Sequence, residues 1–144
     1  MKVRVAAVII EGNKILLMHY TYSGTEVFTI PGGNLEFGEE MRECLERELV
    51  EELFIQTEVG QEPIMSGEVH LKGVDTLHVI YEAKIVEGNA RINKNETSAD
   101  GFKWVEIEQL SELNLYPSVS YAIKDWKSNL LQEAYVGEIN QKWF

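Results

Sequence analysis

A chain of 144 residues, 44% hydrophobic and 26% charged, is long enough to bury one core, and it carries a net charge of −11. That acidity excludes a basic nucleic-acid-binding or anionic-membrane surface as its main feature, and leaves any polyphosphate ligand to be drawn in by metal ions or a local basic cluster, for which Arg4, Arg42, Arg47 and Lys103 are among few candidates. No apolar run approaches the ~18 residues of a membrane span, the lone Cys44 rules out an intrachain disulfide, and no leader pattern opens the sequence, so a cytoplasmic protein is the expectation.

Val3 to Ile10 is rich in β-branched residues and reads as a strand, Glu11-Gly12-Asn13 as a hairpin turn, and Lys14 to Tyr20 as the next strand. A polar loop over residues 21–26 leads to a short strand, Val27 to Ile30, stopped by Pro31-Gly32-Gly33. There proline fixes φ, and the glycines allow positive φ or close backbone approach, so a glycine turn is expected ahead of a helix running from Glu39 to about Leu53. Ile55 to Val59 and Ile64 to His70 are strand-like, and Thr76 to Val86 alternates, with Leu77, Val79, Tyr81, Ala83 and Ile85 on one side. Residues 89–100 read as a polar loop and Phe102 to Ile107 as a strand. A short helix starts at Ile107, and Ser118 to Glu133 reads as a final amphipathic helix. No repeat or linker appears, so one domain over residues 1–144 is expected, of α/β class with a mixed sheet between helices.

The helix after the glycines carries the chemistry. At about 100° per residue, Met41, Cys44, Leu45 and Leu49 make an apolar stripe. Glu48 falls inside that stripe, with Glu51 and Glu52 flanking it. A solvated acidic face should lie opposite the stripe instead. Three acids at i, i+3 and i+4 repel one another unless a cation sits among them, and their hard oxygens suit Mg²⁺ or Mn²⁺. Cys44, on the apolar stripe, reads as a small core residue.

At these residues the chain resembles the Nudix hydrolases, whose signature is G-x5-E-x7-R-E-U-x-E-E-x-G-U with U a bulky aliphatic. Gly33, Glu39, Arg47, Glu48, Leu49, Glu51, Glu52 and Ile55 supply it, and the late glycine is replaced by Phe54. The resemblance implies a Nudix-type α/β/α sandwich and hydrolysis of a nucleoside diphosphate linked to another group. By position it implies Glu48, Glu51 and Glu52 as metal ligands, with the Gly32 or Gly33 carbonyl adding an oxygen, and an Arg47–Glu39 pair holding the helix against the loop. Glu48, Glu51 or Glu96 would assist proton removal; Glu96 lies on the loop where many relatives carry an extra glutamate. A small nucleotide is the expected partner, and homodimers are common in the family. A left-handed residue is expected where the late glycine stood; phenylalanine there costs about 1–2 kcal/mol or forces the helix exit to be rebuilt.

For the substrate, His19 lies at the end of the second strand, where many relatives carry a basic residue for phosphate. Tyr20, Tyr22 and Phe28 cluster before the glycines, where an aromatic can stack on a base. With Gly32 and Gly33 these make the expected substrate contacts. Tyr116-Pro117 is expected to shape the entry to the last helix, and Trp143 and Phe144 to pack on the body or on a second subunit. The alternative function is a catalytically inactive Nudix-fold module for nucleotide sensing or protein binding.

Overall fold

Strands too apolar to expose either face dictate the architecture. In the computed structural model, which describes residues 1–144, eleven strands form two sheets. The first contains β1 (Lys2–Val8), β5 (Gly32–Asn34), β6 (Gln56–Val59), β7 (Met65–Leu71), β8 (Val74–Glu87) and β11 (Tyr135–Glu138). Its order is β11-β7-β8-β1-β5, and β6 pairs with one end of the long β8. The second contains β2 (Ile10–Glu11), β3 (Lys14–Tyr22), β4 (Thr25–Thr29), β9 (Gly101–Glu106) and β10 (Leu115–Tyr116), in the order β10-β4-β3-β2 with β9 on β3. The first sheet is mixed: β1 runs parallel to β8, and β5 and β7 are antiparallel to their neighbours.

Val5 to Val8 are wholly enclosed, because the chain covers both faces of β1 with helices. Val5, Ala7 and Ile9 join Val79, Tyr81 and Ala83 in a core closed by Cys44, Leu45, Leu49 and Leu53 of α1 (Met41–Leu53). Ala6, Val8 and Ile80 face the other way. They pack in a second core with Ile107 and Leu110 of a 3₁₀ helix (Ile107–Glu112) and Val119, Ala122 and Ile123 around α2 (Ser120–Lys127). This is the expected helix–sheet–helix sandwich, and the expected single side of β8 (Leu77, Val79, Tyr81, Ala83, Ile85) is the one turned to α1.

Three local expectations are corrected. The last helix does not reach Glu133; it ends at Lys127, and Asn129 takes a positive φ of 58°. The chain then crosses to β11, which pairs with β7, so Leu131 packs on the second core without being helical. Gly32 and Gly33 are not a turn but part of β5, opposite Ala6 and Val5. Their role is close approach, because neither takes a positive φ. Finally, Phe54 neither extends the helix nor rebuilds its exit. It adopts the left-handed conformation itself, with φ 58°; its N–H donates to the Val50 carbonyl at 3.1 Å and the next N–H, of Ile55, to the Leu49 carbonyl at 3.4 Å. The Arg91 guanidinium lies 4.2 Å from its ring centroid and offsets part of the strain.

Candidate active site

Two adjacent glycines bring strand and helix together. A Cβ on Gly32 would stand 1.9 Å from the Val5 carbonyl oxygen, so only glycine lets β5 lie this close to β1. A Cβ on Gly33 would instead meet the Glu48 carboxyl carbon at 2.2 Å and its two oxygens at 2.5 and 2.6 Å. The Glu48 carboxylate therefore rests on the bare Cα of Gly33.

Arg47 organises the acids. Its Nε and Nη2 donate to the two oxygens of Glu39, at 2.6 and 3.1 Å, a fork that fastens α1 to the segment after β5. Beside the guanidinium the Glu39 carboxyl falls to about 2, first through this hydrogen bond. The remaining nitrogen, Nη1, donates to Glu48 at 3.1 Å and to Glu51 at 3.0 Å. Cys44 is fully buried below, and burial pushes its thiol up to about 12, so it is an inert core residue as expected.

Glu52 lacks that help. Burial first, then the neighbouring Glu48 charge, push its carboxyl up to about 7, and Glu51 and Glu96 add to the shift. Burial also raises Glu48, against the pull of Arg47. Glu96 thus lies within electrostatic reach of Glu52, on the loop between β8 and β9. That loop also finishes the helix. The Asn93 side-chain amide donates to the Glu51 carbonyl at 2.8 Å, and its backbone N–H to the Glu52 carbonyl at 3.0 Å. Carbonyls that a helix end leaves orphaned are thereby satisfied just where the acids project.

No three acid, imidazole or thiol groups already converge at ligand distance, since Nη1 of Arg47 holds Glu48 and Glu51. The donor set nonetheless fits a hard divalent ion: half-buried carboxylates, one seated on a glycine, and one destabilised first by burial and then by its neighbours' charge.

Where the two sheets meet, a cavity of about 380 Å³ opens, a size suited to a small-molecule site. Tyr20, Tyr22, Val27 and Thr29 of the second sheet line it with Arg4, Ser98, Tyr116, Trp143 and Phe144. Strand alternation sorts the expected substrate residues. Tyr20 faces the cavity, and its hydroxyl lies 3.4 Å from that of Thr97. His19 and Phe28 point away: His19 pairs with Glu26 at 2.7 Å, and Phe28 is 5% exposed in the second core. Gly32 and Gly33 serve the strand–helix junction and do not line the cavity. Trp143 packs on the body, stacked on Tyr22 and under the Lys72 ammonium.

Arg4, in the sequence one basic residue among several, and Thr29 are the cavity residues that motif and spacing do not mark. The available signal was a charge inside Val3-Arg4-Val5-Ala6-Ala7-Val8, a strand otherwise apolar enough to be buried on both faces.

A NUDIX domain model matches residues 1–126 of the chain. Among solved structures, the E. coli ORF135 protein superposes with a TM-score of 0.73 at 24% identity, over 92% of this chain and 95% of that one. A C. elegans Ap4A hydrolase gives 0.71 at 19%, over 90% and 98%. An ADP-ribose pyrophosphatase from Streptococcus suis 89-1591 gives 0.66 at 16%, over 95% and 97%. At these identities the structures speak for the fold. The family model spans the acid-bearing helix and every strand of the two sheets but β11, and the chain belongs to the Nudix hydrolase family.

Proposed function

We propose that this Nudix pyrophosphatase is a divalent-metal-dependent hydrolase of a nucleoside diphosphate linked to another group, whether a nucleoside triphosphate, a nucleotide sugar or a similar small nucleotide. The observation that carries this reading is Glu52, a half-buried carboxylate held among Glu48, Glu51 and Glu96 with no cationic side chain bonded to it. Structural acids are paired or solvated; a half-buried carboxylate with no bonded cation, packed among other acids, is the signature of a site completed by a ligand.

Glu48, Glu51 and Glu52, with the Gly32 carbonyl, would hold Mg²⁺ or Mn²⁺, which when bound neutralises phosphate charge and makes water acidic enough to serve as a nucleophile. The chain's own residues do the positioning. Arg47 fixes Glu39, Glu48 and Glu51 relative to β5. Asn93 fixes the helix end from which Glu51 and Glu52 project. Glu96, exposed on its loop and close enough to raise Glu52, accepts the proton of the attacking water. The cavity beside Arg4 takes the nucleoside.

The test is hydrolysis of a panel of nucleoside triphosphates, nucleoside diphosphate sugars, ADP-ribose and dinucleoside polyphosphates with Mg²⁺ or Mn²⁺. Turnover of one class that is lost in Glu52→Gln, with the fold retained, supports the reading. Absence of turnover with nucleotide binding intact favours the non-catalytic module. The left-handed Phe54 counts against that module, since it keeps the helix exit a glycine would give.

A further inference from the structure

The nucleoside cavity holds one feature that its general role does not explain. Arg4 carries the only charged side chain that lines it. Nη2 donates to the Ile30 carbonyl at 2.8 Å, whereas Nη1 is enclosed and has no hydrogen-bond partner. A buried guanidinium nitrogen with unspent hydrogens calls for an acceptor supplied from outside the chain. Its surroundings are aromatic. Tyr20 and Tyr22 stack at 5.8 Å between centroids with planes 8° apart, and Tyr22 and Trp143 follow at 6.4 Å and 28°.

The outer wall is fastened. The Gln141 side chain accepts from the Ser118 N–H at 2.7 Å and donates to the Leu115 carbonyl at 3.3 Å, and the Ile139 N–H donates to Glu68 at 2.7 Å. Lys72 lies 4.6 Å from the Trp143 ring centroid. Trp143 is thus held at the rim by its neighbours although it is 53% exposed. The other polar side chains here (Tyr20, Thr29, Ser98 and Tyr116 among them) are hydroxyls that can donate or accept. Only Arg4 and the Trp143 indole N–H cannot accept, and of these only the guanidinium presents a fork of adjacent donors, so Arg4 discriminates between edges with two acceptors and edges with one.

We propose that this cavity is a base-recognition pocket selecting 6-oxopurines over adenine. The Arg4 guanidinium donates to O6 and N7, and the purine stacks against the Tyr22–Trp143 wall. A guanine-type edge offers two adjacent acceptors to a donor-only fork, whereas adenine sets its amino group against it. The same Arg4 is within electrostatic reach of Glu48 and Glu52, which links the base pocket to the acid cluster. The inference rests on the nucleotide-hydrolase reading above for its ligand class.

Binding of GMP, IMP and AMP, none of which contains a phosphoanhydride to cleave, separates the two by calorimetry without added metal. GMP and IMP are expected to bind at least about tenfold more tightly than AMP. Arg4→Met should remove that ratio without weakening AMP, and Trp143→Ala should weaken all three nucleotides about tenfold while leaving the ratio in place. An equal or reversed ratio in the wild-type protein, a ratio that survives Arg4→Met, or no binding of any of the three overturns the proposal. If Arg4→Met does not fold, the wild-type ratio and the exposed Trp143→Ala variant still decide it. Metal-dependent hydrolysis with no purine preference sinks the pocket and keeps the hydrolase; a 6-oxopurine preference with no hydrolysis does the reverse.

Discussion

The same substitution at two neighbouring glycines should have opposite consequences. In Gly32→Ala the new methyl falls 1.9 Å from the Val5 carbonyl oxygen and 2.7 Å from the Ala6 Cα. Both are backbone atoms of the buried β1. An ordinary C···O contact is about 3.3 Å, so β5 must retreat by roughly 1.4 Å. That retreat strains the ladder around Ala7 N–H to Pro31 O (2.8 Å) and Leu35 N–H to Val3 O (2.9 Å). Overpacking of about 1–3 kcal/mol plus about 1 kcal/mol for each weakened hydrogen bond gives a loss near 3–5 kcal/mol, or roughly 10 °C in Tm for a domain this size. In Gly33→Ala the three atoms nearest the methyl all belong to the end of the Glu48 side chain, at 2.2–2.6 Å. A carboxylate can swing aside, so stability should fall by no more than about 1 kcal/mol. Turnover, however, should drop by about a hundredfold or more, because Glu48 leaves the cluster. Thermal unfolding and metal-dependent hydrolysis measured on both variants test this. A Gly33→Ala protein that keeps its activity, or that loses as much Tm as Gly32→Ala, refutes the reasoning.

Three further outcomes are expected. With the Glu52 carboxyl raised to about 7 by burial and by Glu48, the native state binds its proton more tightly than the unfolded chain does. Its ionised form therefore destabilises the metal-free protein above pH 7, and the penalty fades as pH falls toward 4.5; Glu52→Gln should gain about 2 kcal/mol at pH 8 in urea titrations, and added Mg²⁺ should stabilise the wild type but not this variant. His78 is fully buried, with neither ring nitrogen hydrogen-bonded, and burial holds it down at about 3. The unfolded histidine gains a proton below about 6.5, so its contribution is complete above that pH and is lost on acidification. Between pH 7 and 5 the wild type should lose about 2 kcal/mol relative to His78→Leu, a difference that cancels the opposing titrations of Glu48, Glu52 and His70, and parallel pH profiles would exclude it. Asn93→Ala should cost about 1 kcal/mol and lower kcat more than it raises KM, since the lost hydrogen bond positions the helix end and touches no substrate. Unchanged kcat would show that the loop does not set the acids.

Much of the scaffold was legible because it is written in local periodicity. The alternation of Leu77 to Ile85 and the stripe of Cys44, Leu45 and Leu49 each place one face in a core regardless of what comes later in the chain. The acids were legible for the opposite reason: Glu48 breaks a stripe it should continue. The final helix was overextended because Leu130 and Leu131 keep its amphipathic rhythm, whereas the chain after Lys127 answers to β7. Phe28 is expected beside Tyr20 from nearness in sequence, and His19 from the basic residue that relatives carry at that strand end; the pleat turns both to the other side.

By itself, the sequence determined most of the long strands, the acid-bearing helix and the place of Glu48, Glu51 and Glu52 on it. These depend on spacings of three, four or two residues within one element. Only the tertiary structure decided what surrounds them. Arg4 and Thr29 come from strands of different sheets, and Trp143 comes from the far end of the chain. They become one cavity because β1, β4 and the segment after β11 meet at the seam between the sheets. The conformation of Phe54 was decided the same way. The Leu49 and Val50 carbonyls and the Arg91 side chain hold it in a left-handed geometry that its own Cβ disfavours. Contacts of that kind join residues with no fixed separation along the chain, so no pattern in the sequence encodes them.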